Sequence, residues 1–335
     1  MTARAQNRIT QNQFFMPAGV FMSVHAFVFP GQGSQSVGMG RALHDAFSSS
    51  RRVFQEIDET LGEHLTKLMF EGDAAELTRT ENAQPALFAV SMATVRALES
   101  EGGFRLADKA ALVAGHSLGE YSALAAAGTL AIDEGARLLR LRGRAMQQAV
   151  PAGEGGMAAL LGVDTEQARS ICEDAAQGDT LEVANDNGGG QIVVSGKMEA
   201  VDRAIALAKE RGIKRAVKLP VSAPFHSSLM APAAREMEEA LSKATLRVPS
   251  VPVIANVTAA KVTDPETIRK LLVQQVTGTV RWRESVEAMV GMGVTDMHEL
   301  GAGKVLCGLA RRIAPDLRTD NAGTPDEIEA LLKTL

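Results

Sequence analysis

The segment Gly115-His-Ser-Leu-Gly119 limits the fold more than any other stretch of the chain. It follows an apolar run, 110–114, that reads as a short buried strand, and it precedes a helical stretch from about 120 to 127. A serine with glycines two residues to either side, set between strand and helix, has the pattern of a nucleophile elbow. The turn is so tight that a Cβ at either glycine would collide with the strand or the helix. It aims the serine Oγ outward at a helix N-terminus, where the N–H of Leu118 can donate to a developing oxyanion.

The rest of the hydrophobic pattern supplies a matching framework. A strand at 26–29 runs into the Gly-rich turn Pro30-Gly-Gln-Gly-Ser-Gln35, which can bring backbone N–H groups close to a ligand. Helical periodicity covers 41–61 and 85–99, and a helix at 133–148 carries Arg137, Arg140, Arg142 and Arg144. Between 156 and 222 the rhythm changes to strand 157–163, helix 165–176, strands 181–184 and 191–195, helix 198–211 and strand 215–219. That β-α-β-β-α-β order is the ferredoxin-like pattern. Alternation resumes with helix 231–244, strand 253–257, helix 265–275, strand 294–300 and helix 304–313. The expected fold class is α/β: an α/β-hydrolase-like large domain with a parallel sheet, residues 24–150 and 223–335, and an inserted ferredoxin-like small domain, residues 151–222. Residues 1–23 are expected to form a disordered extension. Pro17 interrupts an apolar run at 14–22 that loosely imitates a leader, and Met22 offers a natural start.

Composition removes several classes of function. Lys plus Arg number 35 against 40 Asp plus Glu, and there is one Trp and one Tyr, so neither a basic excess nor a stacking platform for nucleic acid is present. With no run of 18 apolar residues, no transmembrane helix is expected. Cys172 and Cys307 form no CxxC pair, so neither a zinc site nor a redox motif is expected, and a cytoplasmic setting fits. Ser36 stands where the last glycine of a dinucleotide fingerprint belongs, and Gly303-Lys304-Val305 lacks the Ser/Thr and upstream glycine of a P-loop.

A serine nucleophile needs a base. Among the six histidines, His116 adjoins the serine and its side chain should diverge on the turn. His44 and His64 lie in polar helical surroundings and are expected to be exposed, and His25 and His298 lie on strands and read as structural. His226, in a loop well after the elbow, follows the Ser…His chain order of α/β-hydrolases and is the positional candidate.

At this point a family resemblance emerges. Phe27-Val-Phe-Pro-Gly-Gln-Gly-Ser-Gln35, Gln84-Pro-Ala86, Gly115-His-Ser-Leu-Gly-Glu-Tyr-Ser122, Arg142-Gly143 and Ala223-Pro-Phe-His226 resemble the malonyl-CoA:acyl carrier protein transacylases of bacterial type II fatty-acid synthesis. The resemblance runs from about Val24 to Ile328. It implies Ser117 as the acylated nucleophile and His226 as the general base. The backbone carbonyl of Gln275 would orient that histidine in place of an Asp. It implies backbone N–H groups of Gln32 and Leu118 in the oxyanion hole, Arg142 as the partner of the malonyl carboxylate, and Gln84 close to the active site. Asn185 and Asn187 match a small-domain hairpin bordering the cleft. On the residues alone Arg142 is one of four arginines on a polar helix, although a guanidinium does suit a buried carboxylate. The chain departs from the family in residues 1–21, which have no counterpart, and in Gly301-Ala-Gly303, where Gly-Pro-Gly is frequent.

The implied reaction is ping-pong transfer of malonyl from malonyl-CoA to the phosphopantetheine thiol of acyl carrier protein, with no metal or redox cofactor. The expected partners are these two substrates, with no nucleic acid, no membrane, and a monomeric enzyme. Three rivals share parts of the pattern: a serine esterase or thioesterase, a non-catalytic carrier-protein adaptor, and an acyltransferase serving a polyketide synthase.

Overall fold

The computed structural model describes residues 23–221 and 223–335, so the extension expected over 1–23 lies, but for its last residue, outside the described residues. Among the described residues, ten strands form two sheets: β1 (His25–Phe29), β2 (Ala110–Gly115), β3 (Gly155–Leu161), β4 (Leu181–Asp186), β5 (Gln191–Lys197), β6 (Arg215–Lys218), β7 (Val253–Ala255), β8 (Ala260–Val262), β9 (Asp296–Leu300) and β10 (Arg318–Ala322). The larger sheet has the order β10-β9-β1-β2-β7-β8. It is parallel except for β8, which pairs antiparallel to β7.

Its central strand shows why the sequence reads as apolar without a break. In β1 the side chains of Phe27 and Phe29 enter one core, while Ala26 and Val28 enter a second core with Trp282, Met297 and Leu306. A strand covered on both faces has no polar side to show. The helix Thr80–Gly102 fills the centre of the first core, with Leu87, Phe88, Val90 and Leu98 buried.

The smaller sheet, β4-β5-β3-β6, is antiparallel throughout. Its first strand in chain order, β3, lies between the third and fourth, and the helices Thr165–Ala176 and Met198–Glu210 pack on it through Ile171, Val201 and Ala204. This is ferredoxin-like topology, so the expected class, a large α/β unit with a parallel sheet plus a small unit, agrees with the structure. The end of β4 is tied to the segment before helix Trp282–Gly291: Asp186 N donates to the Val280 carbonyl at 3.0 Å, and Arg283 pairs with Asp186 at 2.9 Å.

Three local expectations need correction. The helix expected over 41–61 is two helices, Arg41–Ala46 and Ser48–Leu61, because Phe47 between them is extended, with φ −118° and ψ 123°. The helix expected to start at Pro85 begins at Thr80. Proline has no N–H for the Glu81 carbonyl four residues back, which normally ends a helix there. Here Arg140 Nη1 donates to that carbonyl at 2.8 Å and replaces the missing bond. The C-terminal part adds elements that the pattern did not predict: the helices Trp282–Gly291 and Pro325–Leu332 and the edge strand β10. Among the described residues, no helix is long and apolar enough to cross a membrane. Both cysteines are buried and unbridged, and burial pushes their thiols up to about 12.

Candidate active site

The elbow is built from backbone collisions avoided. A Cβ on Gly115 would sit 1.9 Å from the Gly119 carbonyl oxygen, and one on Gly119 would sit 2.2 Å from the Phe29 carbonyl oxygen. Helix Gly119–Ala126 can therefore rise directly from β2 only with glycine at both positions. Ser117 between them is left-handed, φ 54°, a conformation few non-glycine residues adopt. It is held there by Asn256, just beyond β7. Asn256 Oδ1 accepts from Ser117 N at 2.7 Å, and its Nδ2 donates to the Gly115 carbonyl at 2.7 Å.

Ser117 Oγ lies 2.8 Å from His226 Nε2. His226, φ 55°, is buried in the loop after β6, and its Nδ1 lies 2.9 Å from the Gln275 carbonyl oxygen and 3.1 Å from that of Gly278. Since both oxygens only accept, Nδ1 carries the proton and Nε2 accepts from the serine hydroxyl. Burial, then the nearby Arg142 charge, push the imidazole down to about 3, so it rests neutral.

Arg142, on helix Ile132–Gln148, is 1% exposed. Its Nη1 donates to Gln84 Oε1 at 2.8 Å, and its Nη2 donates to Gln275 Oε1 at 2.9 Å and to Ser117 Oγ at 3.0 Å. The ring of Tyr121 lies below it, 5.8 Å from the guanidinium carbon. All of these partners are neutral, and among the described residues no carboxylate forms an ion pair with Arg142. The arginine can come this deep because helix Ile132–Gln148 crosses helix Thr80–Gly102 closely: a Cβ on Gly143 would lie 2.6 Å from the Glu81 Cα and the Thr80 carbonyl.

Ser117, His226, Arg142, Gln84 and Gln275 thus form one hydrogen-bonded set. It borders a cavity of about 460 Å³ whose wall includes Gln32, Leu118 and Asn185, with Met146, Met157 and Phe225 among its apolar lining. The backbone N–H groups of Gln32 and Leu118 donate to no protein acceptor among the described residues. Asn187 is one step removed: its Oδ1 lies 2.9 Å from His116 Nε2, so His116 diverges from the serine as expected. A second hollow of about 510 Å³ also touches His226, but neither Ser117 nor Arg142 lines it.

The other histidines separate as expected, with one exception. His25 Nδ1 and His298 Nε2 meet at 2.9 Å and neither lines the cavity, and His64 is exposed. His44, expected to be exposed, is instead partly buried, with its ring edge-on to Phe70.

Two residues of the site were missed from the sequence. Asn256 shows no local signal, because its hydrogen bonds to Gly115, Ser117 and Glu120 all span more than a hundred residues. Glu120 is 2% exposed, and its Oε2 accepts from Gln275 Nε2 at 2.7 Å and from Asn256 N at 3.0 Å. Its one signal was a carboxylate directly after the elbow glycine in an otherwise apolar helix start. Burial raises it from the ordinary carboxylate range to about 7.

A serine–histidine pair at the head of a parallel-sheet elbow, with an arginine bonded to the serine oxygen, defines an acyl-transferring serine enzyme. Comparison with known proteins narrows that class. The acyl transferase domain model matches residues 26–298. The malonyl CoA-acyl carrier protein transacylase of Bacillus subtilis strain 168 is 45% identical over 94% of this chain and 98% of its own length. The acyl-carrier-protein-S-malonyltransferase of Bartonella henselae superposes with a TM-score of 0.91 at 55% identity, covering 93% of this chain and 99% of that one. A malonyl-transacylase solved in complex with its type II PKS acyl-carrier protein superposes at 0.90 with 40% identity, over 93% of this chain and 100% of that one. The chain belongs to the malonyl CoA-acyl carrier protein transacylase family of acyltransferases.

Proposed function

We propose that the enzyme moves a malonyl group from malonyl-CoA to the phosphopantetheine thiol of acyl carrier protein through a malonyl-Ser117 intermediate. The observation that carries this reading is Arg142, a buried guanidinium that forms no ion pair with a carboxylate among the described residues, 3.0 Å from the serine oxygen. A group that must stay charged in such a place calls for an anion, and the free carboxylate of a malonyl ester reaches it from Ser117.

In the acylation step, Ser117 Oγ attacks the thioester carbonyl carbon while its proton passes to His226 Nε2. The carbonyl oxygen takes the negative charge, and in this reading the N–H groups of Gln32 and Leu118, which line the cavity and have no other protein acceptor among the described residues, donate to it. The C–S bond then breaks, and the proton on His226 returns to the departing thiolate. Deacylation reverses these moves with the carrier thiol as nucleophile. Gln275 serves twice: its carbonyl holds His226 Nδ1–H, and its side chain holds Arg142.

Arg142 also links selectivity to basicity. Its charge is one of the causes that lower His226. A substrate carboxylate paired to Arg142 beside Ser117 offsets that charge at His226, which Glu120 does not shift, and so makes His226 a better base at the moment it is needed. An acetyl group brings no such carboxylate. Initial rates measured with both malonyl-CoA and holo-acyl carrier protein varied test the intermediate. A covalent relay gives parallel double-reciprocal lines; lines that intersect mean direct transfer and overturn it.

A further inference from the structure

The orientation of the Gln275 side chain is not free. Arg142 can only donate and an ionised carboxylate can only accept, so the amide must turn its oxygen to Arg142 Nη2 and its nitrogen to Glu120 Oε2. Gln275 Nε2 also donates to the Ser117 carbonyl at 3.1 Å. Were the amide reversed, its NH2 would face the donor-only guanidinium and its single oxygen would face the carboxylate and the Ser117 carbonyl. Glu120 therefore acts with Arg142 and the Ser117 carbonyl to fix which end of Gln275 reaches the guanidinium. Burial lowers Arg142, and Tyr121 and then Glu120 oppose that effect, so Glu120 is the carboxylate that acts on its charge.

We propose that Glu120 is a positioning residue for substrate-carboxylate binding: it orients Gln275, and through it Arg142, and it takes up a proton when the substrate's own carboxylate pairs with Arg142. Oε2 receives both hydrogen bonds from Gln275 and Asn256, so a proton on Oε1 leaves the network intact. The site then holds one negative charge against Arg142 before and after loading. A second buried anion would otherwise be unpaired and costly.

The groups facing Glu120 allow this exchange. Arg142 approaches from helix Ile132–Gln148 and Tyr121 lies next to it on its own helix. Asn256 and Gln275 close the remaining sides and do not titrate. Tyr121 is raised to about 12 and His226 lowered to about 3, so neither changes charge near neutrality. Glu120, at about 7, does.

The inference rests on the malonyl reading above, and its test keeps the two apart. Loading of Ser117 from malonyl-CoA is followed from about pH 6 to about pH 8, with acetyl-CoA as the control for titration of the CoA phosphates. In the parent the KM for malonyl-CoA rises with pH, by up to about tenfold across that range for one proton bound near neutrality, while the acetyl-CoA profile lacks this rise. Glu120→Gln keeps an oxygen where Oε2 sits and cannot titrate, so its malonyl-CoA KM no longer varies with pH beyond the acetyl-CoA control. Glu120→Ala frees the Gln275 amide and lowers malonyl loading more than acetyl loading. A malonyl-specific rise that persists in Glu120→Gln overturns the proposal, as does a parent profile no steeper than the acetyl control. Failure of the parent to take malonyl at all would instead overturn the proposed function.

Discussion

Replacing Arg142 with Ala separates the substrate from the machinery that acylates the serine. The substitution removes the hydrogen bonds to Gln84, Gln275 and Ser117 Oγ together with the buried positive charge that lines the cavity. Truncating one member of a buried, hydrogen-bonded charge pair costs about 2–5 kcal/mol. At about 1.36 kcal/mol per decade, malonyl loading should fall roughly 30- to 5,000-fold in kcat/KM. Acetyl loading should be spared or improved for two reasons. The acetyl group never used the charge, and His226 loses the neighbour that lowers its basicity. The assay is rapid-quench measurement of acyl-enzyme formed from malonyl-CoA and from acetyl-CoA, with parent and variant side by side. Equal losses for the two substrates would refute the reasoning, because Arg142 would then serve the fold or the serine and not the carboxylate.

Two further outcomes follow from other parts of the structure. His226→Ala should slow acylation by about 10²–10⁴-fold with little change in thermal stability, as expected for loss of general-base assistance, measured by the same quench assay. The His25–His298 pair should make the fold acid-sensitive. Burial lowers both rings, His298 to about 4, with Asp296 opposing and Lys109 and Arg318 reinforcing the effect on His25. The native state therefore holds the rings neutral while the unfolded chain protonates them near 6.5, so this stability is present above that value and is lost as pH falls toward 4. Urea unfolding at about pH 7.5 and about pH 5 should show a smaller loss in His298→Phe than in the parent; an equal loss would contradict it.

What could be read from the sequence is what local chemistry encodes. Gly115 is demanded by a collision four residues on, with the Gly119 carbonyl, while Gly119 is demanded by the distant Phe29 carbonyl and is legible only through the motif's spacing; β1 announces itself by apolar side chains on both faces. The four arginines on helix Ile132–Gln148 look alike as a string. Only the packing at Gly143 separates Arg142, which reaches the cavity, from Arg144, which pairs with Glu63 and Glu81 at the surface. Pro85 read as a helix start because the donor that replaces its missing N–H comes from Arg140, far along the chain. Glu120 and Asn256 stayed hidden for the same reason: their partners are assembled by the sheet and helix Pro265–Thr277, not by neighbours in sequence. The edge strand β10, Arg-Thr-Asp-Asn-Ala, carries one buried apolar residue and so lacks the alternation that would have marked it.

The covalent relay through Ser117 is tested most directly by locating the acyl group itself. The full-length enzyme is mixed with malonyl-CoA, quenched in acid, digested, and the peptide spanning the elbow is examined by mass spectrometry, with and without a chase of holo-acyl carrier protein. The account predicts one malonyl group on Ser117 that disappears on the chase as malonyl-carrier protein forms. It should survive a chase with the apo form, which has no thiol, and be absent from Ser117→Ala. A malonyl adduct on another residue, or carrier protein malonylated at the normal rate by Ser117→Ala, would contradict the account.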